Sequence, residues 1–108
     1  MIELDLRPGE KIIEEIRADY WENLLFMLSQ KRGRFVFTNQ RVHIRAGLVT
    51  IIDLEYKDMI GVKKCNVGGM IRIIPTGILV KMRDGKKHYL SVLKRNKYIE
   101  LLEQNVTN

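Results

Sequence analysis

Apolar and polar positions alternate with a period of two over much of this chain. The clearest stretch is Arg41-Val42-His43-Ile44-Arg45-Ala46. Successive strand residues point to opposite faces, so this stretch predicts a strand with one dry face and one cationic face. Just before it, Phe35-Val36-Phe37 suits a pleated, half-buried surface. Between the two, Thr38-Asn39-Gln40 breaks the apolar pattern. Asn accepts left-handed backbone angles and bonds its own backbone, so the break reads as a tight polar corner joining two strands.

The same reading extends along the chain. Pro8-Gly9-Glu10 is a turn signal. Over residues 12–28 the pattern is ambiguous. Ile12, Ile13, Ile16, Tyr20 and Leu24 suit one helix face, while Ile12, Ile16, Ala18 and Tyr20 suit one side of a strand. In the strand reading Tyr20 and Trp21 point opposite ways, one into the core and the other outward. Residues 29–33 read as a loop, 49–56 as a fourth strand and 59–67 as a fifth. Pro75-Thr76-Gly77 ends the apolar stretch of Ile71, Ile73 and Ile74, and proline there argues against a central strand. Asp84-Gly85 predicts a two-residue hairpin turn between strands over 78–82 and 87–92. In that register Val80 faces Tyr89 on the core side. Lys81 then faces His88, and Arg83 faces Lys86. Residues 94–104 read as a helix, with Tyr98, Leu101 and Leu102 at helical spacing.

About seven short strands and one helix give a mainly β fold. Two small antiparallel sheets must bury their inner faces against each other, and the helix caps the open corner. At 108 residues the chain is one domain, 1–108, and can bury a modest core. A single cysteine, Cys65, forbids an internal disulfide and fits a reducing compartment. The longest apolar run, residues 24–28, is far short of the ~20 residues of a spanning helix. No signal peptide is visible, so the expected location is cytoplasmic.

Charge adds a direction. Net charge is +6, but residues 1–30 hold three Lys/Arg against seven Asp/Glu, a balance of −4. The remainder holds sixteen against six, a balance of +10. A basic surface attracts anionic partners within a Debye length of roughly 10 Å, although solubility alone accounts for a charge of this size.

The run from Gly33 to Ile44 also resembles the signature of GRAM domains, small modules of the pleckstrin-homology-like group. Their pattern is a glycine, an apolar strand, Thr-Asn-x-Arg and a second apolar strand, matched here at Gly33, Thr38, Asn39 and Arg41. Tyr56-Lys57-Asp58 between two strands, and Asp84-Gly85 followed by Leu93-Lys94-Arg95 and a helix, continue the resemblance. It implies a pleckstrin-homology-like barrel with a long first strand. It also implies a lipid- or protein-binding module, without catalysis or cofactor.

The first candidate site is Lys31, Arg32 and Arg34, in the loop expected between the first two strands. Cations spaced around a glycine can converge on one phosphate, and Arg binds it bidentately. Lys86 and Lys87 come second. Arg41, His43, Arg45, Lys81, Arg83 and His88 form a secondary basic face. In each case a solvated turn or a charged, protected edge is the plainer explanation. Cations at Lys94, Arg95 and Lys97 oppose the dipole of the final helix. Asp53, Glu55 and Asp58 alternate with apolar residues as outward strand positions do, not as an acid/base set. His43 and His88 lie far apart, and no cluster has metal-ligand spacing. The expected partner is a protein or an anionic phospholipid surface, the latter at the inner face of a membrane. Self-association into a homo-oligomer is the alternative. Nucleic acid ranks last, because no polar groove interleaves aromatics with cations.

Overall fold

The computed structural model describes residues 4–21, 30–48, 50–67 and 74–106. Among them, seven strands precede one helix. They are β1 (Ile12–Trp21), β2 (Gln30–Thr38), β3 (Arg41–Ala46), β4 (Thr50–Glu55), β5 (Met59–Val67), β6 (Ile74–Met82), β7 (Lys87–Ser91) and α1 (Arg95–Asn105). A short 3-10 turn, Tyr56–Asp58, links β4 to β5.

The expected pair of sheets is one antiparallel sheet, ordered β4-β3-β2-β1-β7-β6-β5. Continuity comes from β1, which pairs with both β2 and β7. The two pairings differ in length. Against β2 the register runs from Ile12 to Trp21, but against β7 it holds only at Asp19, Tyr20 and Trp21. The first half of β1 therefore leaves β7, and the sheet opens there. β4 and β5 are the outer strands, with no ladder between them.

One face of the sheet carries the core. Phe35 and Phe37 of β2, Val42 and Ile44 of β3, Ile78 and Val80 of β6 and Leu90 of β7 are all fully buried. They join Tyr98, Ile99 and Leu102 of α1 in one cluster. Each such side chain contributes roughly 1.5–3 kcal/mol when fully withdrawn from water. The helix buries Tyr98 and Leu102 of the expected stripe, but Ile99 goes under and Leu101 is half-buried. The Tyr98 ring stacks on Phe37 with centroids 5.2 Å apart. Lys97 Nζ donates to Glu14 on β1 at 2.9 Å, tying helix to sheet. As the sequence suggests, no acidic residue lies in the first turn, and the N-cap Lys94 takes a left-handed conformation without a side-chain cap.

The Thr38–Arg41 corner is built by side chains. The Thr38 hydroxyl accepts the backbone N–H groups of Gln40 and Arg41, both at 3.0 Å, and donates to Glu10 Oε2 at 2.7 Å. Arg41 binds the same carboxylate twice, Nε at 2.8 Å and Nη2 at 3.0 Å. The Glu10 side chain is 0% exposed, and that of Arg41 7%. Asn39 completes the fastening. Its Oδ1 accepts Lys11 N–H at 2.7 Å, and its Nδ2 donates to the Gly9 carbonyl at 3.0 Å. Tyr56 then donates its hydroxyl to the Thr38 carbonyl at 2.7 Å. Residues 5–11 are thus strapped across the corner by a buried ion pair.

Several local expectations need correction. Lys31, Arg32 and Arg34 lie within β2, not in a loop. Pro75 does not end a segment, since β6 runs from Ile74 and proline sits at its entry, where a ladder donor matters least. Residues 22–28, read as extending the first strand, lie outside the described residues, as do Ile71 and Ile73. Tyr20 and Trp21 point opposite ways, yet both are buried, because Trp21 packs with Val67, Cys65 and Tyr89 on the other face.

The β6–β7 hairpin is shifted by one residue. Val80 pairs with His88 and Lys81 with Lys87. Gly85 N–H reaches the Met82 carbonyl at 3.0 Å, and Met82 N–H reaches that of Lys86 at 2.9 Å, which closes a three-residue loop. Gly85, at φ +88°, supplies the left-handed residue that such a loop requires. A one-residue slip turns every side chain over, so His88 shares the inner face with Val80 instead of joining Lys81 outside.

This packing sets how stability responds to pH and to substitution. Burial pushes the Glu10 carboxyl up, but hydrogen bonds from Arg41, the Arg7 backbone and Thr38 outweigh it, lowering its pKa from 4.5 to about 2. A depressed carboxyl stabilises fully above its unfolded pKa and loses that contribution as pH falls through the folded one. Urea melts should therefore show stability falling between pH 4.5 and about 2, with a weaker slope in Glu10→Gln. Arg41→Met strands a buried carboxylate and should cost roughly 3–5 kcal/mol, more than Glu10→Gln, because Arg41 keeps Asp53 at 3.1 Å. At Gly33 a Cβ would stand 1.9 Å from the Arg45 carbonyl oxygen. Gly33→Ala should cost about 1–3 kcal/mol in the same melts.

Candidate anion-binding cleft

Where β1 leaves β7, a cleft of about 520 Å³ opens, lined by Arg17, Asp19, Arg32, Arg34, Thr76, Ser91 and Leu93 among others. Strand periodicity puts these cations together. Arg17 and Asp19 lie on one face of β1, opposite Arg34 and Arg32 of β2. Arg17 and Arg34 are direct cross-strand partners, an arrangement that costs roughly 0.2–1 kcal/mol for like charges. Glu15 offsets part of this by accepting from Arg34 Nη1 at 3.1 Å. Such partly exposed bridges contribute at most about 1 kcal/mol, so the bridge leaves Arg34 exchangeable. Arg17 and Arg32 are exposed. Across the cleft, Thr76 Oγ1 and Ser91 Oγ are hydrogen-bonded at 2.6 Å.

The lining therefore combines three guanidinium groups and two hydroxyls with one carboxylate. Planar guanidinium forks match the oxygens of phosphate or carboxylate groups bidentately. Hydroxyls add adjustable donors. Arg32 and Arg34, chosen from the sequence, are brought together here. Arg17, Thr76 and Ser91 have no such mark in the sequence. Arg17 alternates with Ile16 and Ala18, which marks an outward strand position, but only the β1–β2 register places it beside Arg34.

The remaining candidates are dispersed. Lys31 donates to Thr50 Oγ1 at 3.0 Å, beside the cleft and not in its lining. Lys86 and Lys87 are exposed on the hairpin and do not line this cleft. The secondary basic face does not form as expected. Arg41 is buried against Glu10, and His43 is buried with its Nδ1 2.6 Å from Asp53 Oδ1. Arg45 is exposed and donates from Nε to His43 Nε2 at 3.2 Å. His88 Nδ1 is hydrogen-bonded with the Tyr20 hydroxyl at 2.8 Å, and burial holds its pKa below the usual histidine range. Lys81 is half-buried opposite Lys87, and Arg83 is exposed at the hairpin turn.

The proposed outward carboxylates are partly committed as well. Asp53 is bridged to Arg41 and His43, and Glu55 accepts from Arg7 Nη1 and Nη2 at 2.5 and 2.6 Å. A second cleft, of about 490 Å³, lies between β4 and the β6–β7 hairpin. Ile52, Leu54 and Met82 contribute its apolar lining, and its charges are mixed, with Asp58 and Asp84 beside Arg83 and Lys86. Among the described residues, no three His, Cys, Asp or Glu side chains are grouped to hold a metal ion. No described helix is long and apolar enough to cross a membrane.

No family model and no curated protein matches the chain. Among solved structures, the fold is similar to the C-terminal domain of an unknown protein from Leishmania infantum, with a TM-score of 0.70. The likeness covers 93% of this chain and 88% of that one at 18% sequence identity, and it establishes a shared fold.

Proposed function

We propose that the chain is a non-enzymatic docking module of the GRAM, pleckstrin-homology-like type, which binds an anionic surface through the arginine cleft. The observation that carries this reading is the convergence of Arg17, Arg32 and Arg34 at the point where β1 parts from β7. The strand order, with β1 shared by both halves of the sheet, supports a curved, barrel-like body with α1 against the core. The partner surface of choice is the phospholipid headgroup layer at the inner face of a membrane, in the cytoplasm. An acidic protein surface presents the same carboxylate or phosphate chemistry and is the competing outcome.

A second reading, self-association, is favoured by a separate feature. β4 and β5 are unpaired sheet edges, and each carries an exposed isoleucine, Ile51 and Ile60. Such edges template pairing with another chain. A strict monomer in sedimentation at high concentration removes this reading.

Vesicle flotation tests the docking reading. The parent should float with acidic vesicles, much less with neutral ones, and less again at high salt, because counterions screen the arginines. Arg17→Ala/Arg32→Ala/Arg34→Ala should lose at least about tenfold in recovery, at roughly 1 kcal/mol per arginine near an anionic surface. Equal recovery on neutral and acidic vesicles contradicts the proposal.

A further inference from the structure

We infer that Leu48 and Leu93 enter the apolar layer of an anionic lipid bilayer while the arginines near them hold its phosphates. This inference rests on the docking reading and fixes the occupant of the surface as a bilayer.

Leu48 and Leu93 are the most exposed large apolar side chains described, at 102% and 81%. The other exposed large apolar side chains described, Leu6, Ile12, Ile13, Ile51 and Ile60, lie between 45% and 63%. A lone exposed leucine is ordinary and needs no explanation. These two differ in where they stand. Leu48 occupies the turn between β3 and β4, directly after Gly47 at φ +61°, where polar residues usually sit. Leu93 follows β7 and precedes the left-handed Lys94, outside both strand and helix. Neither belongs to the buried clusters, so neither serves the core.

Both border the basic site. The Gly47 N–H donates to the Arg32 carbonyl at 2.9 Å, so the Leu48 turn is fastened to a cleft strand. At Gly47 an added Cβ would meet the Lys31 side chain at 3.5 Å, which sets the Lys31 stem beside that turn. Leu93 itself lines the cleft with Arg32 and Arg34. Each leucine therefore has cations for neighbours. An anionic bilayer presents the complementary arrangement, a layer of phosphates above a layer of acyl chains. Stable attachment to such a surface takes two signals, apolar burial and electrostatic attraction. A soluble phosphate or an acidic peptide would use the arginines and leave the leucines in water.

Leu48→Ser, Leu93→Ser and the double variant separate these cases. Parent and variants are measured on vesicles of phosphatidylcholine with phosphatidylserine, and on a monolayer of the same mixture. Thermal melts should be unchanged, since both side chains are exposed. Each single change should weaken vesicle partitioning by roughly tenfold, the order expected for withdrawing one leucine from an apolar phase. The parent should raise the monolayer surface pressure, and the double variant should not. A double variant that binds acidic vesicles as tightly as the parent, and still loses binding when Arg17, Arg32 and Arg34 become alanine, overturns the insertion while the docking reading stands. A parent that ignores acidic vesicles overturns both.

Discussion

A carboxylate and a guanidinium taken out of water govern how this fold is assembled. Glu10 and Arg41 are fastened by two hydrogen bonds and share the carboxylate with the Thr38 hydroxyl. Burying such a pair is costly, and its net contribution to stability is modest, but removing one partner strands a charge inside. Its structural consequence is positional. It holds the amino-terminal strap against the β2–β3 corner, while Tyr56 N–H and hydroxyl reach Gln40 and Thr38 of the same corner. The Thr-Asn-x-Arg signature acts here as a clasp.

That clasp redistributes the charge. The acidic first thirty residues and the basic remainder do not form two separate poles. Glu10 meets Arg41, Glu14 meets Lys97 and Glu15 meets Arg34. In the reverse direction, Arg7 meets Glu55. The face that reads as cationic along β3 is thereby neutralised at Arg41, with His43 bound to Asp53 beside it. Arg17 and Arg32 remain exposed on β1 and β2, which places the candidate site at the end of β2 remote from the Thr38–Arg41 corner.

Much of the fold was legible because it rests on local periodicity. The strand at 41–46, the corner at 38–40, the fifth strand at Met59–Val67 and the helix stripe at Tyr98 and Leu102 all follow from residue type and spacing. What escaped depends on register. Asp84-Gly85 fits a two-residue turn, yet the hydrogen bonds close around Arg83-Asp84-Gly85, and that one residue sends His88 inward. The basic run at 31–34 looks like a loop because its charges mask a strand whose inner face begins beyond Gly33. Arg17 carries no local signal of function. Its meaning arises only when β1 and β2 align it with Arg34.

The proposed docking divides labour, with corner residues holding the fold and cleft residues meeting the ligand. Amide-resolved NMR during titration with short-chain anionic phospholipid tests it most directly. Shifts should centre on Arg17, Arg32, Arg34 and Leu93 and reach the Leu48 turn, with Glu10, Thr38 and Arg41 unmoved. Shifts concentrated at the corner, or in the cleft of Asp58, Met82 and Lys86, would contradict it.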